Sequence, residues 1–359
     1  MKMVLATPLY PPQSGGPATY ARLLEEELPR YGIQVVIVKF GSVLFLPPVV
    51  RHFVYFCMLL ISGIGARVLF VQDTVSAGLP AVLASRVLGI PLVLRVPGDF
   101  AWEQGVQRYG VADNLDKFQK KTYSKSVELL RKIQQFVVRS ANSIVVPSLY
   151  FKNIVSHWGT PQAPIHVIYH GVLPLSDKIT VQSHIYQHLA VTAGRLVPWK
   201  GFEGVIDAVV ACPEWHLVIV GGGPYEETLR EKIRTAGVED RVHLIGEQPR
   251  DIVLGWCQAA DVFVLNSSFE SFSFQIVEAM AVGVPIIATN IGSIPELITD
   301  KKDGLLISPN DTPAIVDALR DLEVHPEVWL ARQRSAKVKA LEFNRERMID
   351  EIVQLLKAL

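Results

Sequence analysis

The sequence predicts an α/β protein made of two doubly wound domains, and three observations lead there. Short β-branched apolar runs alternate with helix-like stretches along the chain. That alternation stops at a polar, irregular stretch, LPLSDKITVQSHIYQ at residues 173–187, and then starts again. A length of 359 residues is long for one core and comfortable for two.

In the first half the strand-length runs are MVLAT (3–7), QVVIVKF (34–40), RVLFVQ (67–72), PLVLRV (91–96), SIVVPS (143–148) and IHVIYHG (165–171). Helical patterns such as PATYARLLEEELPRYG and SAGLPAVLASRVLG separate them. Near-continuous apolar runs with helices between them belong to parallel strands covered on both faces. The second series is HLAVTAGRL, HLVIVGGG, RVHLIGE, DVFVLNSS, VPIIATN and GLLISP. The expected organisation is a first domain over 1–172, a hinge over 173–187 and a second domain over 188–342. A helix at about 343–359 could pack back onto the first domain. Sheets of this kind bind ligands beyond the carboxyl ends of their strands, so a cleft between the domains is the place to look for a site.

FVYFCMLLISGIG at 53–65 stands apart from this scheme. It is strongly apolar, yet well short of the roughly 20 residues that cross a bilayer. It reads as a buried or partly exposed helix, with a face resting on a membrane as the alternative.

Composition points the same way. Hydrophobic residues make up 49 % and charged residues 19 %, which fits a folded globular chain and excludes a disordered one. Cys57, Cys212 and Cys257 lack metal spacing and suit a reducing compartment. MKMVLATPLYPP has too short an apolar run for a signal peptide. The net charge is zero, but residues 1–171 hold 17 Lys/Arg against 9 Asp/Glu. Much of that excess lies in DKFQKKTYSKSVELLRKIQQFVVRS, which suits an anionic surface or acceptor, or equally a solvated helix face.

Four stretches could carry chemistry. Gly15 and Gly16 precede a helix, whose free amides and dipole favour an anion; an ordinary turn would use the same glycines. In GRLVPWKGFEG, Arg195 and Lys200 lie five apart with Gly201 opening a helix, well placed for a diphosphate or else simple surface charges. HLVIVGGGPYEETL imitates a dinucleotide fingerprint, but Glu226 falls where the third glycine belongs and Pro224 interrupts the turn. In LNSSFESFSFQIVEAM, FESF reads as a turn and Ser273 as the cap of the next helix. The amides of Phe272, Ser273 and Phe274 would then face the cleft. Glu278 would lean back toward it, with Glu270 at its lip. Two carboxylates without a Cys or His cluster make a poor metal site but good acceptors for a sugar diol. A carboxylate flanked by Ile276, Val277, Ala279 and Met280 also calls for a partner.

Together these parts resemble the retaining nucleotide-sugar glycosyltransferases of family four, with the two-Rossmann GT-B fold. The resemblance rests on ESFSFQIVE, an E-x7-E run followed by AMAVGVPIIATNIGSIPELI and DGLLISPND, and on GRLVPWKG, PPQSGG and IYHGV. It implies that Arg195 and Lys200 hold the diphosphate, approached by Gly15 and Gly16 from the other domain. It places Glu278 on the ribose and Glu270 on the donor sugar. Ser271 and the amides of Phe272, Ser273 and Phe274 would steady sugar and phosphate, and Gly246 to Gln248 would border the base. The family works without a bound metal or other cofactor; its donor is a nucleoside-diphosphate sugar. The sequence departs from the family pattern at Ser271 and Ser273, where glycines are common, and at His170, where asparagine is common. LRVPGDFAWEQ lacks the usual acceptor-side histidine, which leaves Asp99 as the nearest polar candidate there, beside His170 at the crossover.

The expectation is a cytoplasmic, metal-independent, retaining hexosyltransferase acting on a carbohydrate or lipid-linked acceptor in glycan, polysaccharide or glycolipid synthesis. Contact with the inner face of an anionic membrane goes with the basic half; nucleic acid is not an expected partner. The alternatives are a non-catalytic nucleotide-sugar or lipid-binding protein of the same fold, and a phosphorylase or epimerase relative.

Overall fold

The computed structural model describes residues 1–13, 15–172, 181 and 186–359. Residues 173–180 and 182–185, most of the stretch expected as a hinge, lie outside the described residues. The chain divides into two compact units, Met1–Tyr169 with Glu346–Leu359, and His170–Arg345.

The first unit is a six-stranded sheet of β1 (Lys2–Thr7), β2 (Gln34–Lys39), β3 (Val68–Val71), β4 (Leu92–Arg95), β5 (Ser143–Val146) and β6 (Ile165–Val167). Its strands run parallel in the order β2-β1-β3-β4-β5-β6. The helices between them are α1 (Gly16–Glu27), α2 (Pro48–Gly63), α3 (Gly78–Leu88), α4 (Phe100–Arg108), α5 (Leu115–Lys120), α6 (Lys125–Ser140) and α7 (Leu149–Ser156). β3, β4 and β5 are buried along their whole length, as strands covered on both faces must be. Strand order reverses between β1 and β3, so the loops after those two strands flank the switch point of this sheet.

The second unit repeats the design with β7 (His188–Ala193), α8 (Phe202–Val210), β8 (Trp215–Val220), α9 (Glu226–Ala236), β9 (Val242–Leu244), α10 (Arg250–Ala259) and β10 (Val262–Leu265). There follow α11 (Phe274–Val282), β11 (Ile286–Thr289), α12 (Ile294–Leu297), β12 (Leu305–Ile307), α13 (Thr312–Val324) and α14 (Pro326–Ala340). The parallel order β12-β11-β10-β7-β8-β9 puts the switch point between β7 and β10. Trp215, Phe202 and Trp329 anchor a core that β7, β8 and β10 share with α8 and α13. The last helix, α15 (Arg345–Lys357), buries Met348, Ile349, Ile352, Val353 and Leu356. Almost all of it counts with the first unit, where the Tyr31 hydroxyl donates to Asp350 Oδ1 at 2.9 Å.

Each of the twelve apolar runs contains a strand, but three strands are much shorter than their runs. β6, β9 and β12 keep only three residues each, and all three lie at sheet edges, where one side has no ladder partner. The apolar stretch at 53–65 belongs to α2, which begins earlier than the run because Pro48 suits the first helical position. Among the described residues no helix is long and apolar enough to cross a membrane.

Candidate functional site

The carboxyl ends of β7 and β10 carry the two loops that the sequence singles out, and several ties lock these loops together. Gly201 caps α8 in the left-handed region, φ 64°. A Cβ there would meet the Asn266 carbonyl at 2.2 Å, so only glycine lets the two loops approach so closely. Asn266 Nδ2 donates to the Gly201 carbonyl at 2.9 Å, and the Ser268 amide to the Trp199 carbonyl at 2.7 Å.

This fixes Lys200 against Glu270. Lys200 Nζ lies 2.6 Å from Glu270 Oε1, with the side chains only 12 % and 7 % exposed. Ser267 Oγ donates to the same oxygen at 2.7 Å. The Glu270 carbonyl accepts from the Ser293 amide at 3.1 Å, which pins the FESF turn to the loop after β11. Beyond that turn Ser273 caps α11, its Oγ accepting from the Ile276 amide at 3.3 Å. The first turn of α11 therefore leaves the Phe274 and Gln275 amides without intrahelical partners, at the positive end of the helix dipole. A cation, a carboxylate and a helix N-terminus thus meet at the switch point of a parallel sheet, an arrangement suited to an anionic ligand that also bears hydroxyls.

Glu278 sits one turn further into α11, and its partner is Arg250, the first residue of α10. Arg250 Nε lies 2.5 Å from Glu278 Oε1. Burial holds the Glu278 carboxyl above its ordinary range, and Arg250 works against that shift. Arg195 is exposed on the loop after β7 and forms no ion pair among the described residues. Gly246 and Gln248 lie in the loop after β9. The Gly246 carbonyl accepts from the Gly221 amide at 2.9 Å, and Gln248 Nε2 donates to the Ile245 carbonyl at 2.8 Å. Ser271 is half-buried and Phe272 buried.

The glycine run after β8 has a packing reason. A Cβ on Gly221, at φ 153°, would lie 1.9 Å from the Gly194 carbonyl. The Leu196 amide donates to the Gly222 carbonyl at 3.0 Å, which stitches this turn to the Arg195 loop. These glycines let backbone approach backbone, consistent with the failed dinucleotide fingerprint.

The remaining candidates sit elsewhere. Gly15 caps α1 and Gly16 begins it, at the switch point of the first sheet. Asp99 follows β4 and is buried. It caps α4 by accepting from the Trp102 amide at 3.0 Å, and also accepts from Gln119 Nε2 at 2.8 Å and Gln134 Nε2 at 3.1 Å. Burial holds its carboxyl above the usual range. His170, the first residue of the second unit, is buried, stacked on Phe274 with ring centroids 4.5 Å apart and edge-on to Phe272 at 5.0 Å. Neither acceptor-side candidate presents its side chain to solvent; both brace the segments around them. Arg250, Ser267 and Asn266 are the site residues that sequence reasoning passed over. The only prior signal for them was the need of Glu278 for a counter-charge. Among the described residues no group of three or more His, Cys, Asp or Glu could hold a metal ion.

Residues 14–174 match the family described as Glycosyltransferase Family 4, and residues 181–338 match Glycosyl transferases group 1. The chain belongs to the family 4 nucleotide-sugar glycosyltransferases, and its fold is GT-B. It is 35 % identical over 136 residues to the lipopolysaccharide core biosynthesis mannosyltransferase LpsB of Rhizobium meliloti, covering 35 % of this chain and 38 % of that one. It is 28 % identical over 235 residues to the amylovoran biosynthesis glycosyltransferase AmsK of Erwinia amylovora, covering 61 % and 57 %. The matched regions thus span from about two fifths to under three fifths of these relatives. Among solved structures, Anabaena HepE in complex with UDP-glucose superposes with a TM-score of 0.79 at 18 % identity, over 100 % of both chains. Sucrose-phosphate synthase from Thermosynechococcus elongatus gives 0.80 at 18 %, over 99 % of this chain and 98 % of the other.

Proposed function

We propose that this protein is a retaining glycosyltransferase that moves a hexose from a nucleoside-diphosphate sugar to a hydroxyl of a carbohydrate or lipid-linked acceptor in polysaccharide or glycolipid synthesis. The single observation that carries the proposal is the Lys200–Glu270 pair beside the capped N-terminus of α11, at the switch point between β7 and β10. A diphosphate laid there meets Lys200, with Arg195 free on the same loop to join it. Its negative charge also falls on the α11 amides of Phe274 and Gln275. Glu270 then takes hydroxyls of the donor sugar and Glu278 those of the ribose. The base lies along Gly246 to Gln248.

Leaving-group stabilisation is electrostatic work, strongest where water is excluded, and Lys200 is already nearly buried. The Lys200–Glu270 contact keeps the cation aimed at the phosphate position before the donor arrives. In the proposed transfer the bond from the anomeric carbon to the diphosphate oxygen breaks. The acceptor oxygen bonds to that carbon on the same face, and the departing phosphate takes the acceptor proton. No metal or cofactor enters these steps.

Incubation with UDP-, GDP- and ADP-sugars and a glycan or lipid-linked acceptor, with products followed by NMR, tests the scheme. The expected product keeps the donor's anomeric configuration and forms equally well in EDTA. An inverted product, or loss of turnover on chelation, refutes it. Binding with neither transfer nor slow donor hydrolysis favours the non-catalytic alternative.

A further inference from the structure

Glu278 sits where an ionised carboxylate is costly. Its neighbours on α11, Ile276, Val277, Ala279 and Met280, are all buried, and its own side chain is only 16 % exposed. From α10 the buried Cys257 thiol lies close enough to feel the Glu278 charge, which adds to the upward push of burial on that thiol. α14 also packs on α11, but its Lys337 lies by Gly283 at the far end of the helix, and β11 brings only Ile286–Thr289. Arg250 is the group that opposes the rise which burial imposes on the Glu278 carboxyl. Ionisation decides what this group can hold. An ionised carboxylate offers both oxygens as acceptors to a pair of hydroxyls, whereas a protonated one gives up part of that capacity to its own proton.

The geometry of Arg250 suits a support for that carboxylate. Its Nε donates to Glu278 Oε1 at 2.5 Å, a bond to one carboxylate oxygen that leaves the other for a ligand. The planar guanidinium sets the orientation of the group it holds, which a flexible ammonium does not. Arg250 is fixed in its turn. It is the first residue of α10, directly behind Pro249, whose ring sets φ at −53°. The segment before it is tied to β8 and the turn that follows, the Ile245 amide donating to the Ile219 carbonyl at 3.1 Å and the Gly221 amide to the Gly246 carbonyl at 2.9 Å. One short anchored stretch, Gly246 to Arg250, thus borders the proposed base position and also carries the residue that grips Glu278.

We propose that Arg250 is a positioning residue, which holds the Glu278 carboxylate in the orientation that takes the donor's ribose hydroxyls. This rests on the reading of Glu278 given under the proposed function. The test is isothermal titration of the full chain with UDP, GDP and ADP, each beside its 2′,3′-dideoxy form. Both members of a pair carry the same diphosphate, so its own titration cancels in the ratio of their affinities. For the nucleotide that binds best, the wild type should prefer the hydroxylated form by about tenfold or more at neutral pH. Arg250→Gln should cut that preference to about twofold or less. Part of it should return as pH rises, because without the counter-charge the Glu278 carboxyl ionises only at higher pH. Arg250→Lys, which keeps the charge, should retain more of the preference than Arg250→Gln. A preference unchanged in Arg250→Gln overturns the proposal. So does an equal loss of affinity for both forms, which marks a pair that serves the fold alone. Glu278→Ala separates the two readings. If it leaves the preference intact, the ribose assignment fails and this inference with it; if it abolishes the preference while Arg250→Gln does not, only the role of Arg250 fails.

Discussion

Substituting Lys200 by Met should destabilise the second unit, and the structure sets the scale. The Lys200–Glu270 pair is close, at 2.6 Å, and both side chains are nearly buried. Surface pairs contribute about 0–1 kcal/mol, but removing one partner of a buried pair costs about 3–5 kcal/mol because the remaining charge stays desolvated. Glu270 keeps its bond from Ser267, so the expected loss for Lys200→Met is lower, about 2–3 kcal/mol. Glu270→Gln should cost less, since the more exposed ammonium of Lys200 can turn toward water. The double variant replaces the ion pair by two neutral groups of similar volume. Its loss should fall short of the summed single losses by about 2 kcal/mol. Equilibrium urea unfolding followed by tryptophan fluorescence reads this, because Trp199, Trp215, Trp256 and Trp329 all belong to the second unit. Additivity of the two substitutions to within about 0.3 kcal/mol would refute the coupling, and with it the claim that Glu270 positions Lys200.

Three further outcomes follow from particular contacts. Burial raises the Glu278 pKa, so the folded protein binds more protons than the unfolded chain between the ordinary carboxylate pKa and the raised value. Stability should therefore fall as pH rises through that window, and Glu278→Gln should flatten the slope; an unchanged slope in urea titrations across pH contradicts this. Ser273→Ala removes the cap of α11 and should cost about 1 kcal/mol in thermal unfolding, with loss of donor affinity if the helix N-terminus frays. Gly221→Ala sets a methyl group against the Gly194 carbonyl and should destabilise by about 2 kcal/mol or more, whereas a neutral substitution would show that the turn can open.

The strands were legible because a parallel strand buried on both faces has no polar side to interrupt its pattern. Edge positions were not, since nothing in IHVIYHG, RVHLIGE or GLLISP says that a ladder partner is missing on one side. The cap at Ser273 could be read from local chemistry, because an N-cap depends only on neighbouring residues. The ties from Asn266 to Gly201 and from Ser268 to Trp199 could not, for they join loops some 65 residues apart and exist only once β7 and β10 pair. Glu278 illustrates an intermediate case. Its apolar flanks call for a counter-charge, but only the packing of α10 on α11 selects Arg250. The burial of His170 and Asp99 was not legible either, since it depends on what packs around them in the fold and not on their neighbours in the chain.

The most direct test of the central claim is isothermal titration of UDP, GDP and ADP, and of their sugars, against the wild type and against Arg195→Ala and Lys200→Ala. The account predicts that one nucleoside diphosphate binds clearly better than the others, and that loss of either cation weakens it by about tenfold or more, the scale of one charge-assisted hydrogen bond. Equal affinity in the wild type and both variants would mean that the diphosphate does not lie at the carboxyl ends of β7 and β10.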